Sequence, residues 1–62
     1  MALTFYLVVV NSETNAFMSH VKPNNPKMLN AMKEHAEKVS KMFHKPMKVR
    51  RCVRIKNNWK LV

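Results

Sequence analysis

The chain has 62 residues, with 12 Lys or Arg against 3 Asp or Glu, a net charge of +9 and no glycine. That length holds one domain with one small core, and chains of this size fold alone only marginally because they bury a low fraction of their surface. A lone cysteine, Cys52, excludes an intrachain disulfide, and no paired Cys or His spacing suggests a structural zinc. No cofactor is therefore expected, and self-association as a homodimer is the remaining way to reinforce the fold.

The apolar start, MALTFYLVVV, lacks the basic leader and small-residue cleavage site of a signal peptide, and nothing approaches the roughly 20 apolar residues that span a bilayer. With one unpaired cysteine, this predicts a soluble protein of the reducing cytoplasm, with no membrane partner. Residues 3–10 are β-branched and aromatic and predict a strand. Leu3, Phe5, Leu7 and Val9 face one side, and Thr4, Tyr6, Val8 and Val10 the other. Both rows are apolar, as in a central strand covered on each side.

NSETN follows as a turn. AFMSHVK reads as the return strand of a hairpin, ended by Pro23, which cannot donate to a ladder. Asn25 then stands as N-cap before Pro26 at the first helical position, and the stretch to His44 is rich in helix formers. Leu29, Met32, Ala36, Val39 and Phe43 recur at helical spacing as the buried stripe, and Lys41, His44 and Lys45 crowd the last turn before Pro46.

Residues 47–56 alternate once more. Met47, Val49, Arg51, Val53 and Ile55 share one face, and Lys48, Arg50, Cys52, Arg54 and Lys56 the other. Arg51 either snorkels out past the helix side or is turned by a bulge at Arg50–Arg51. The closing NNWKLV is a fourth strand after an Asn57–Asn58 turn, or a tail. The predicted fold is thus α+β, a β-β-α-β domain over residues 1–62, with a three-stranded antiparallel sheet of order 2-1-3 and the helix on one face. A right-handed crossover sets that order.

Charge is concentrated toward the end of the chain. Residues 1–21, 22–44 and 45–62 carry −1, +3 and +7, and the last segment has no acid. Like charges held this close destabilise a compact state unless a polyanion offsets them, and a pI near 10.4 with clustered cations is the footprint of a nucleic-acid binder. The expected partner is RNA or single-stranded nucleic acid, bound with little sequence preference. The expected contacts are Lys45, Lys48, Arg50, Arg51, Arg54, Lys56 and Lys60, with Tyr6 and Trp59 to stack bases and His20 near the basic face. A competing use of the same face is a homodimer interface through Tyr6, Val8 and Val10. A second functional reading is a basic inhibitor or adaptor docked on an acidic protein.

Catalysis is not expected. His20 could do acid–base work on a phosphodiester, but no partner can be placed beside it. Glu34 and His35 are adjacent on the helix and point different ways, which argues against a metal site. Cys52 lies among Arg50, Arg51 and Arg54, cations that would lower a thiol pKa.

In its shortness, its six methionines, its wealth of lysine and its charge, the whole chain resembles the early proteins that bacteriophages encode. Among these it is similar to the small basic RNA-binding toxin inhibitors of T-even-like phages. That resemblance implies binding of RNA together with a host toxin of the endoribonuclease class, in the cytoplasm of a host cell.

Overall fold

A computed structural model describes residues 4–62; the predicted facing of Leu3 lies outside the described residues. The order is β1 (Tyr6–Asn11), β2 (Lys22–Pro23), α1 (Pro26–Phe43), β3 (Met47–Ile55) and β4 (Asn58–Leu61). The four strands form one open antiparallel sheet in the order β2-β1-β3-β4. The expected 2-1-3 arrangement is its core, and the count of three strands is corrected to four.

The fourth strand exists because the chain reverses over Lys56 and Asn57, with φ of 48° and 66°. Two positive φ values at the centre of a two-residue loop match the right-handed twist of the flanking strands. Asn57 tolerates that conformation, and its Oδ1 accepts a hydrogen bond from Arg54 Nη2 at 3.1 Å. The turn comes one residue earlier than an Asn57–Asn58 turn would place it, so Trp59 pairs with Arg54.

The return strand is much shorter than expected. Only Lys22 and Pro23 pair regularly with β1, and Phe17 makes an isolated bridge to Val10. From Phe17 to Pro23 the chain takes six steps where β1 takes four from Val10 to Tyr6. The surplus forms a bulge at which Ser19 Oγ replaces a backbone carbonyl, accepting from Val9 N at 3.0 Å. Pro23 sits inside this edge strand, where its missing N–H costs no ladder bond.

The helix begins as its sequence dictates. Asn25 is extended, and its Oδ1 accepts from Met28 N at 2.8 Å, a cap worth about 1 kcal/mol. It ends at His44, a left-handed residue (φ 54°) whose N–H donates to Ser40 O. Met32, Ala36 and Val39 are buried, and Met32 and Ala36 join Leu7 and Val9 in a cluster ringed by Met18, Met28, Leu29, Met47 and Val49. Phe43, the last member of the predicted stripe, is instead 54% exposed.

A second apolar layer lies on the other side of the sheet. Val8, Val10 and Cys52 are each 0% exposed, packed by Tyr6, Val21, Trp59 and Leu61. The shortest principal axis is 14 Å, enough for one sheet and one helix, so side chains alone close this face. The two valines are covered within a single chain.

Candidate nucleic-acid interface

Sheet register decides which cations stand together. Paired residues share a face, so Tyr6 opposite Cys52, Val8 opposite Arg50, and Val10 opposite Lys48 all lie on the side away from the helix. Across the next pairing, Cys52 opposes Leu61 and Arg54 opposes Trp59 on that same side. The open face therefore carries Lys48, Arg50 and Arg54 in a row along β3, spaced by strand geometry at roughly 7 Å per two residues. Tyr6, Trp59 and Leu61 lie beside them.

The aromatic pair is in contact. Tyr6 and Trp59 meet edge to face, with ring centroids 5.1 Å apart at an interplanar angle of 80°. To reach Tyr6 from β4, the indole leans across Cys52 on β3. The Arg54 guanidinium lies 5.9 Å from the Trp59 ring centroid, and Arg50 Nη2 donates to Val62 O at 3.3 Å. No acidic residue occurs in β3 or β4. Among the described residues the ion pair found is Lys41 with Glu37 at 3.6 Å, on the exposed side of α1.

Other predicted contacts lie elsewhere. Arg51 faces the helix side in an unbroken register, which excludes the bulge at Arg50–Arg51, and it snorkels out to lie 5.6 Å from the Phe5 ring centroid. Lys60 opposes Val53 and so faces the helix side as well. Lys56 belongs to the turn and not to the row, and Lys45 to the connection between α1 and β3. His20 is not beside the basic face. It lines a groove of about 630 Å³ with Phe17, Met28, Met32 and His35, between the bulged return segment and α1.

Cys52 reverses its sequence expectation. It is fully buried beneath the aromatic residues, and burial pushes its thiol pKa up. Among the described residues no group of three His, Cys, Asp or Glu side chains could hold a metal ion, and no helix is long and apolar enough to cross a membrane.

Sequence reasoning missed Val21 and Leu61, which pack the open face together with Tyr6 and Trp59. The alternation of Trp59 and Leu61 was the available signal for Leu61. Val21 had none, because the bulge before it scrambles strand parity. Comparison with protein-family models, curated proteins and solved structures finds no match to this chain.

Proposed function

We propose that this protein binds RNA, or single-stranded nucleic acid more generally, through the open face of its sheet and with little sequence preference. The observation that carries the reading is the coincidence of three unneutralised cations in one row with a tyrosine–tryptophan pair on the same uncovered face. Cations along a strand neutralise successive phosphates and release counterions, and aromatic faces accept bases of any identity. The row and the pair are complementary to a polyanion that carries flat apolar groups.

Binding, and not catalysis, is the proposed activity: His20 stands apart from the cationic row, and the one thiol is buried and neutral. Redirection of a host ribonuclease toxin, as the resemblance to phage inhibitors implies, would combine this RNA surface with a second contact to protein.

The test is fluorescence anisotropy of an end-labelled single-stranded RNA titrated with the protein at low salt, with an acidic polypeptide of equal charge as competitor. Saturable binding that poly-glutamate displaces only at large excess supports the reading. Equal competition by charge would favour an acidic protein partner.

A further inference from the structure

We infer that Trp59 is the seat of one unpaired base, in the position over the indole now taken by the Arg54 guanidinium. This rests on the RNA-binding reading above and assigns its ligand to the single-stranded class. The two aromatic residues of the open face are not equivalent. Tyr6 meets Trp59 edge to face and holds the indole across Cys52, within a cluster that includes Leu61. Trp59 is half-buried, fixed by that packing, and the Arg54 guanidinium lies over it. A fixed, partly exposed indole is a stacking platform whose ordering has been completed before the ligand arrives.

Arg54 is a weakly held cover. Its 5.9 Å distance from the ring centroid is at the outer limit of cation–π attraction, the residue is exposed, and its guanidinium donates to Asn57 Oδ1. A base offers the indole a full π face, and the displaced guanidinium stays on the same face, in line with Arg50 and Lys48, where a phosphate follows the base. A base inside a duplex has both faces already stacked. The site therefore selects unpaired segments, and purines over pyrimidines by the strength of stacking.

Trp59 is the one tryptophan in the chain, so its emission reports the site without a label. The probes are an adenine decanucleotide RNA, its duplex with oligo-uridine, and an abasic ribose-phosphate decamer with the same phosphates. Anisotropy measures binding and tryptophan emission measures stacking. The expected result is that oligoadenylate binds and quenches emission by more than half. The abasic decamer should bind roughly tenfold more weakly and leave emission unchanged, and the duplex should quench little. Arg54→Gln should lower the salt slope by about 0.7 while quenching persists. Oligoadenylate that binds without quenching, or an abasic decamer that binds as tightly, overturns the inference and leaves the RNA-binding reading standing. Failure of every probe to bind overturns both.

Discussion

Val8 and Val9 are neighbours in β1, both 0% exposed, and they face opposite sides of the sheet. Val9 lies under α1 with Leu7, Met32 and Ala36. Val8 lies in a layer roofed by Tyr6, Val21, Trp59 and Leu61 and bordered by Arg50. The same exposure arises in two ways. A helix closes one face, whereas a packed layer of side chains closes the other. The first arrangement holds the fold together, and the second leaves Trp59 and the β3 cations at the surface.

The largest effect that separates the two faces is a charge placed beneath each. Val9→Glu puts a carboxylate under the helix with no partner, at a cost of about 3–5 kcal/mol, which rivals the total stability of so small a domain. Thermal unfolding by circular dichroism should show no cooperative transition. Val8→Glu should keep the fold, with a loss of about 1–2 kcal/mol, because that carboxylate stands directly across the sheet from Arg50 and can pair with its guanidinium. Equal losses would mean that the two faces are equally closed.

Salt dependence gives the next effect. Three cations in the row predict a slope of about −2 for single-stranded RNA, a fall in affinity of roughly 20-fold between 50 and 200 mM salt. All seven cations from Lys45 to Lys60 acting together would give roughly a thousandfold. Anisotropy titrations across that range decide whether the register or the total charge sets the contact.

The smallest effect concerns Cys52. Its raised pKa means that the unfolded thiol ionises first. The stability this contributes is complete below the ordinary thiol range and is lost progressively as pH rises from there through the raised native value. Alkylation by iodoacetamide at pH 8 should be at least tenfold slower in the native protein than in denaturant. A rate close to the denatured one would show the aromatic cover to be open.

Helix limits, the central position of β1 and the alternation of β3 were legible because each follows from local rules: the Asn25 cap with Pro26, apolar residues on both faces of one strand, and a strict period of two. Three features were not. The bulge before β2 depends on Ser19 reaching Val9 from ten residues away. The left-handed turn at Lys56 depends on two strands pairing around it. Burial of Cys52 depends on an indole crossing from β4, so a thiol that sequence neighbours would activate is silenced by a tertiary contact. Parity found Lys48, Arg50 and Arg54, and it also assigned Arg51 to the opposite face. Lys60 and His20 were misplaced because their faces depend on the turn and on the bulge.

The most direct measurement is a pair of matched charge reversals, one on each side of the sheet. Arg50→Glu with Arg54→Glu alters the open face. Lys27→Glu with Lys38→Glu alters exposed positions of α1, and both variants carry a net charge of +5 in place of +9. At 0.15 M salt, where charges farther apart than about 8 Å are largely screened, the β3 variant should lose at least 100-fold in affinity for single-stranded RNA while melting as the parent does, and the α1 variant less than about fivefold. Equal losses in the two folded variants, or a β3 variant that binds as the parent does, would contradict the assignment of RNA binding to the open face.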